Sequence, residues 1–157
     1  MQKMPITPEG LRRLEDELRH LKSEERPAVI KAIAEAREHG DLSENAEYHA
    51  AREKQSFIEG RVAQLEGLIS SAEVIDPSMT TGTRIRFGAH IEVADEETGK
   101  EQSFQIVGVP EADIKVGRIS ISSPIARALI GKDEGDSATV PAPGGDKSYE
   151  IIKVTYR

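Results

Sequence analysis

The stretch that decides the fold is Gly40-Asp41-Leu42-Ser43-Glu44-Asn45-Ala46-Glu47-Tyr48. Apolar residues recur at helical spacing both before and after it. A glycine and a few polar residues between two such segments predict that the chain folds back on itself. The sequence therefore predicts a helical hairpin with Asp41 and Glu44 at its far end, away from any core.

The segment before this turn predicts one long, bent helix. Thr7 suits the N-cap and Pro8 the first helical position. Pro27 removes one backbone hydrogen bond and predicts a bend. The helix should end near His39, with Gly40 as the terminating residue. The 3-4-3 spacing of a coiled-coil seam is present in Leu11, Leu14, Leu18 and Leu21.

The segment after the turn predicts a second helix from about Ser43 to about Ala72. Two registers repeat every seven residues along it, and two seams joined by a tight turn should pair as an antiparallel coiled coil. The registers are Ala51, Ile58, Leu65, Ala72 and Tyr48, Gln55, Val62, Ile69.

After a linker at Asp76–Gly82, the spacing of apolar residues changes from helical to alternating. Short alternating segments bounded by glycine and polar residues are typical of strands. They predict strands at 83–87, 89–94, 103–107, 119–122, 137–140 and 148–156, with one short helix at 125–130. The fold class is therefore α+β. We expect two domains, a coiled-coil hairpin at 1–76 and a small globular domain at 77–157.

Composition excludes several classes of protein. The chain has 157 residues and no cysteine, which rules out disulfides and thiolate metal sites. The formal net charge of −7 argues against duplex nucleic acid as the main partner. No apolar run approaches the roughly 20 residues of a membrane span, and the N-terminus lacks a signal-peptide stretch. We expect a cytoplasmic protein without a membrane partner.

Asp41 and Glu44 permit two interpretations. Asp-x-x-Glu before a helix is the pattern of a capping box, with Asp41 as N-cap and Glu44 at the third helical position. The same carboxylates could instead give two oxygen ligands to a hard cation such as Mg²⁺, with the remaining ligands coming from a second surface. Spacing alone does not decide between them.

The basic residues beside the turn and a serine-proline segment near residue 123 each have a structural and a functional interpretation. Arg37, Arg52 and Lys54 flank the turn, either as ordinary surface cations or as contacts to nucleic-acid phosphate. Ser123 suits a helix N-cap. The surrounding Ser122-Ser123-Pro124-Ile125 segment could also form a docking surface.

Two long stretches closely resemble the bacterial Gre transcript cleavage factors, and the GreA type in particular. They are Ala34-Glu35-Ala36-Arg37-Glu38-His39-Gly40-Asp41-Leu42-Ser43-Glu44-Asn45-Ala46-Glu47-Tyr48-His49-Ala50-Ala51-Arg52-Glu53 and Ser123-Pro124-Ile125-Ala126-Arg127-Ala128-Leu129-Ile130-Gly131-Lys132. The resemblance covers nearly the whole chain.

The resemblance implies that the C-terminal domain has an FKBP-like fold and docks on bacterial RNA polymerase through Ser122, Ser123, Pro124 and Ile125. It implies that the coiled coil enters the secondary channel. There Asp41 and Glu44 would share a Mg²⁺ ion with the polymerase, which then cleaves the 3′ end of backtracked nascent RNA. Arg37 and Arg52 match the family's RNA-contacting patch. The chain would thus be a monomeric cofactor protein that binds no metal alone and is not itself an enzyme.

Three alternatives remain open at this point. The chain could be a channel-entering polymerase inhibitor, as some members of the family are. It could be a coiled-coil adaptor in which the acids of the turn are dispensable. An FKBP-like domain could also suggest a prolyl isomerase, although the domain offers few aromatic residues to line such a pocket.

Overall fold

The computed structural model describes residues 2–41 and 44–157. Within them the chain has the predicted α+β class. Backbone contacts divide it into two compact units. One is Leu11–Ser71, which contains most of the helical hairpin. The other combines Met1–Gly10 with Ala72–Arg157, and it contains the sheet.

Helix α1 (Pro8–His20) begins as the sequence predicts. The hydroxyl oxygen of Thr7 accepts a hydrogen bond from the Gly10 amide at 3.1 Å, which is the geometry of an N-cap. Pro8 lacks an amide hydrogen, so it suits a position where that group would have no helical partner. The predicted cap and first helical residue are therefore confirmed.

Where the sequence predicts a bend, the helix widens into a π-helical turn. Leu21–Glu25 forms this turn, and α2 (Arg26–Arg37) follows it with Pro27 near its start. The Arg26 amide donates to the Leu21 carbonyl, five residues back. Because Pro27 cannot donate and its ring crowds the preceding turn, a wider turn accommodates it. The extra residue explains why the apolar phase shifts after this point.

Helix α3 (Ala46–Ser71) runs antiparallel to α1 and α2. Contacts from the open end toward the turn join Glu17 to Arg61 and Arg26 to Glu59. The seam between the helices is aliphatic, and its buried members are Leu14, Leu21, Val29, Ile33, Ala36, Ala51, Ile58, Val62 and Leu65. At 1.5 Å per residue, the 26 residues of α3 span about 39 Å.

A five-stranded sheet forms most of the second unit. Its strands are β3 (His90–Asp95), β4 (Glu101–Val107), β5 (Arg118–Ser120), β6 (Ser137–Val140) and β7 (Lys147–Thr155), in the spatial order β5-β4-β3-β7-β6. All neighbours are antiparallel except β4 and β5. Helix α4 (Pro124–Leu129) buries Ala126 and Leu129 in the same aliphatic core as Ile91, Ile106 and Ile151.

The predicted strand at 83–87 is wrong. This segment has no strand pairing, and Gly88 ends it in a left-handed conformation with φ 86°. Ile85 is nevertheless fully buried, and its backbone exchanges hydrogen bonds with Gly131 and Lys132. An apolar segment held by a loop instead of a strand produces the same alternating pattern in the sequence.

Two short strands that the sequence did not reveal join residues near the N-terminus to the segment after α3. β1 (Met4–Ile6) pairs in parallel with β2 (Ala72–Val74). Ile6 is fully buried. The first ten residues therefore group with the C-terminal sheet, whereas the sequence placed them with the hairpin.

A buried carboxylate reinforces this N-terminal connection. Glu111 lies in the loop between β4 and β5, and its side chain is only 2% exposed. It accepts hydrogen bonds from the Thr7 amide at 3.0 Å, the Thr7 hydroxyl and the Gly108 amide at 2.8 Å. A Cβ atom on Gly10 would overlap the Glu111 carboxylate, so a glycine is required inside the first turn of α1.

No helix in the described part of the chain is long and apolar enough to cross a membrane.

Candidate functional site at the hairpin turn

The turn begins where α2 ends at Arg37. The amides of Glu38 and His39 donate to carbonyls three residues back, which tightens the last turn of the helix. Gly40 follows with φ 111°, a conformation that strongly favours glycine. The predicted helix end is thus confirmed within about two residues. Leu42 and the predicted helix start at Ser43 lie outside the described residues.

Asn45, and not Asp41, caps α3. Its side-chain oxygen accepts from the Tyr48 amide at 3.0 Å, and its side-chain nitrogen donates to the Ala36 carbonyl at 2.7 Å. One amide group therefore caps the second helix and ties it to the first. The capping-box interpretation of Asp41 and Glu44 is wrong for α3, because that helix begins at Ala46.

Asp41 and Glu44 lie near each other at the turn, and both are exposed. They line an open depression of about 450 Å³ together with His39 and Glu47. Glu47 was not singled out from the sequence, although it follows Glu44 by three residues. The depression presents three carboxylates, which makes it an acidic surface on the outside of the hairpin.

The donor chemistry of this depression fits a hard cation only in part. Carboxylate oxygens are the ligands that Mg²⁺ prefers, and the ion often takes one or two of them from a protein. Within residues 2–41 and 44–157, however, no group of three His, Asp or Glu side chains is arranged to hold a metal. Asp41 and Glu44 can therefore contribute ligands, but the described residues do not form a complete site.

Arg37 and Arg52 are brought together on the opposing helices. They line a second depression of about 240 Å³, whose apolar wall includes Ile30 and Ile33. The Arg37 guanidinium lies 6.0 Å from the centre of the Tyr48 ring, within the range of a cation–π contact. The structure therefore forms a small basic patch that includes the last residue of α2.

Lys54 differs from the two arginines. Its ammonium group lies 3.6 Å from the Glu25 carboxylate, across the hairpin. Within the part of the chain that the structure describes, no carboxylate lies within ion-pair distance of Arg52. Arg52 is therefore more available to an external anion than Lys54.

The serine-proline segment begins α4. The Ser123 hydroxyl accepts from the Ala126 amide at 3.3 Å and donates to the Ser120 carbonyl at 2.7 Å, so the predicted N-cap is confirmed. Ile125 is half-buried against the core. Ser122 and Pro124 are exposed. Of the four residues predicted to dock, these two are the most exposed to solvent.

Comparison with known proteins identifies the chain. The N-terminal domain of the GreA/GreB transcription elongation factors matches residues 4–74, and their C-terminal domain matches residues 80–156. The chain is 69% identical over 156 residues to transcription elongation factor GreA of Acidiphilium cryptum, and 64% identical to that of Ruegeria pomeroyi. Each alignment covers 99% of both proteins. The chain therefore belongs to the GreA/GreB family of transcription elongation factors.

The predicted resemblance to the GreA type is thereby confirmed, and so is the predicted role as a transcription elongation factor. The inhibitor and adaptor alternatives are not favoured.

Among solved structures, the chain is similar to the GreA/GreB factor of Nitrosomonas europaea, with 25% identity, a TM-score of 0.44 and coverage of 98% of this chain and all of that one. It is also similar to Gfh1 of Thermus thermophilus, with 26% identity, a TM-score of 0.45 and coverage of 98% and 99%.

Proposed function

We propose that this elongation factor stimulates the RNA cleavage activity of bacterial RNA polymerase on backtracked complexes. The observation that carries the proposal is the pair of exposed carboxylates at the hairpin turn. Asn45 caps α3, so the helix does not depend on Asp41 and Glu44 for its cap. Both side chains are exposed at the turn, where a partner can reach them.

In the complex, Asp41 and Glu44 would give two oxygen ligands to a Mg²⁺ ion whose other ligands come from the polymerase. Bound there, the ion would supply charge stabilisation and water activation for hydrolysis of the phosphodiester bond. The chain's own part is to place two carboxylates on a narrow support that reaches a recessed site. No metal needs to bind the free protein, and the catalytic centre belongs to the polymerase, so the factor is not an enzyme alone.

Arg37 and Arg52 would hold the phosphate backbone at the 3′ end of the extruded RNA. A guanidinium can donate two parallel hydrogen bonds to a phosphate, which fixes orientation as well as supplying charge. The apolar wall beside the two arginines gives a base or sugar a surface to pack against. Two cations are too few for strong binding of free RNA, so the contact operates within the complex.

Docking on the polymerase would use the segment around Ser122 and Pro124. Both side chains are exposed at the start of α4, and the Ser122 hydroxyl lies 2.7 Å from that of Ser120, which fixes the orientation of the segment. Ser123 and Ile125 would support the surface from below through the N-cap and the core. A cytoplasmic monomer that binds one polymerase fits this arrangement.

The proposal is tested on a stalled, backtracked polymerase complex that carries RNA with a labelled 3′ end. Wild-type protein should release short 3′ fragments, and the variant Asp41→Asn/Glu44→Gln should not, although it should still compete with wild type for the polymerase. A charge-matched control is Glu38→Gln/Glu53→Gln, which neutralises two other exposed acids near the turn and should cleave normally.

Other outcomes would overturn parts of the proposal. Equal cleavage by wild type and Asp41→Asn/Glu44→Gln would make the two carboxylates dispensable and favour an adaptor. Binding without cleavage by any variant, wild type included, would favour an inhibitor. If Asp41→Asn/Glu44→Gln no longer bound the polymerase, the two acids would have a role in docking instead of in RNA cleavage.

A further inference from the structure

A separate concave pocket lies on the sheet, on the face opposite the aliphatic core. It is an open cleft of about 610 Å³ and is bordered by β3, β4, β7 and the start of β5. Side chains that alternate with the core residues line it, including His90, Lys153 and Thr155. This volume lies in the range of small-molecule sites, which is about 300–1,000 Å³. Neither the hairpin turn nor the start of α4 contributes to it.

The pocket concentrates positive charge in an acidic protein. Arg118, Lys153 and Arg157 line it, and Glu92 is the one acidic residue among its lining. The whole chain has a formal net charge of −7. In the described part of the chain, neither Lys153 nor Arg157 has a carboxylate within ion-pair distance. Three cations converge here on a concave surface, against Glu92 in the lining and the Glu111 partner of Arg118, and this excess of positive charge favours an anion.

Arg118 has unused hydrogen-bonding capacity at the edge of this pocket. Its side chain is 15% exposed, and among the described residues it makes one long side-chain contact, of 3.4 Å from Nη2 to Glu111. The buried Nε atom has no hydrogen-bond partner. A desolvated guanidinium normally uses most of its five N–H donors, and this one has few partners among the described residues, which leaves it capacity to donate to an oxyanion at the pocket.

The electrostatics at His90 agree with this charge distribution. Burial is the main cause that lowers the pKa of His90, and the nearby charges of Arg157 and Arg118 lower it further. The imidazole thus experiences the positive potential of both guanidinium groups. Ser103, Gln105 and Thr155 add neutral hydrogen-bonding groups to the same lining.

We propose that this pocket binds a polyphosphate group, held by Arg118, Lys153 and Arg157. A single carboxylate would leave most of the positive charge unbalanced, whereas a polyphosphate carries several negative charges in a compact volume. Arginine also matches the geometry of phosphate oxygens through paired hydrogen bonds. A concave pocket suits a small ligand better than an extended acidic peptide. The inference stands on the sheet alone and is independent of the proposed function at the turn.

Inorganic polyphosphate and a nucleotide share this chemistry, and two probes distinguish them. Tripolyphosphate and ATP are titrated separately into the full chain in magnesium-free, low-salt buffer, while amide resonances are followed by NMR. Saturable shifts for residues around His90, Gly117 and Lys153 are expected with both probes. Additional shifts at Val116 with ATP alone would identify a nucleotide, since this exposed apolar side chain also lines the pocket. Equal shifts with both would identify phosphate recognition alone.

Matched variants connect the binding to the pocket. Lys153→Gln/Arg157→Gln should weaken binding about tenfold or more, because it removes two of the three cations that hold the ligand. Glu92→Gln should tighten it by removing a repulsive charge. The control Lys100→Gln/Lys147→Gln neutralises two exposed cations outside the pocket and should leave affinity within about twofold. Arg118 is left unchanged because it also contacts Glu111.

Three results would overturn the proposal. The first is the absence of saturable shifts at these amides up to about 10 mM of either probe. The second is equal weakening by the pocket variant and the control, which would indicate diffuse charge attraction. The third is tighter binding of a polyaspartate peptide than of tripolyphosphate at the same amides, which would replace the small ligand with an acidic protein segment.

Discussion

Glu111→Ala should destabilise the unit that contains the sheet, because it removes the acceptor for a set of buried donors. The Thr7 amide, the Thr7 hydroxyl and the Gly108 amide would each lose a partner in a site where the carboxylate is 2% exposed. An unsatisfied buried donor costs about 1–3 kcal/mol, and water that enters the vacated space reduces the sum. We expect a loss of about 3–5 kcal/mol in the free energy of unfolding.

Urea unfolding of wild type, Glu111→Ala and Glu111→Gln measures this loss. Glutamine keeps one oxygen acceptor in nearly the same volume, so it should lose only about 1–3 kcal/mol. Glu101→Ala, an exposed acid on β4, is the control and should change stability by about 0.5 kcal/mol or less. Hydrogen exchange should show faster exchange of the Thr7 and Gly108 amides in the alanine variant.

The reasoning would be refuted if Glu111→Ala and Glu101→Ala unfolded at the same urea concentration with the same slope. That result would mean that the hydrogen bonds around Glu111 add nothing beyond what water supplies. Faster exchange confined to Thr7, without global destabilisation, would contradict the expected magnitude while leaving the contact itself intact.

Two further predictions concern the hairpin. Asn45→Ala should cost about 1–2 kcal/mol, because it removes both the cap of α3 and the contact to Ala36; thermal unfolding followed by circular dichroism at 222 nm tests this, and an unchanged midpoint would contradict it. The hydrogen bond and charge of Arg61 lower the pKa of Glu17. The pair therefore stabilises the folded state at pH values above the pKa of Glu17 in the unfolded chain. This stabilisation disappears as the pH falls through the lower pKa of Glu17 in the folded protein. Acid titration of stability should therefore be shallower in Arg61→Gln than in wild type, and parallel curves would exclude the pair as a contributor.

Local patterns were sufficient to predict the helical hairpin. They did not predict that the segment before α1 pairs with the segment after α3. Thr7, Pro8 and the heptad repeats act through neighbouring residues, so their roles could be predicted from spacing. The pairing of β1 with β2 joins segments nearly 70 residues apart and contains only three residues in each strand. Such short strands give almost no periodic signal. Glu111 was overlooked for the same reason, since its partner Thr7 is 104 residues away.

The candidate site shows where spacing is ambiguous. Asp41 and Asn45 are both good N-cap residues, and each precedes a helical pattern at a plausible distance. Only the position where α3 starts distinguishes them, and helix starts are commonly uncertain by one or two residues. The proximity of Arg37 and Arg52 depends on the alignment of two helices, which the wider turn before Pro27 shifts. The resemblance to the Gre factors gave the site residues that spacing could not decide.

The central claim is that Asp41 and Glu44 help to hold a metal ion in the polymerase active centre. The most direct measurement is the Mg²⁺ dependence of RNA cleavage in a backtracked complex at saturating factor, compared between wild type and Asp41→Asn/Glu44→Gln. The account predicts that the variant needs a much higher Mg²⁺ concentration for half-maximal cleavage, while its affinity for the polymerase is unchanged. An unchanged Mg²⁺ requirement with a lower maximal rate would contradict the claim and assign the two acids a role other than metal binding.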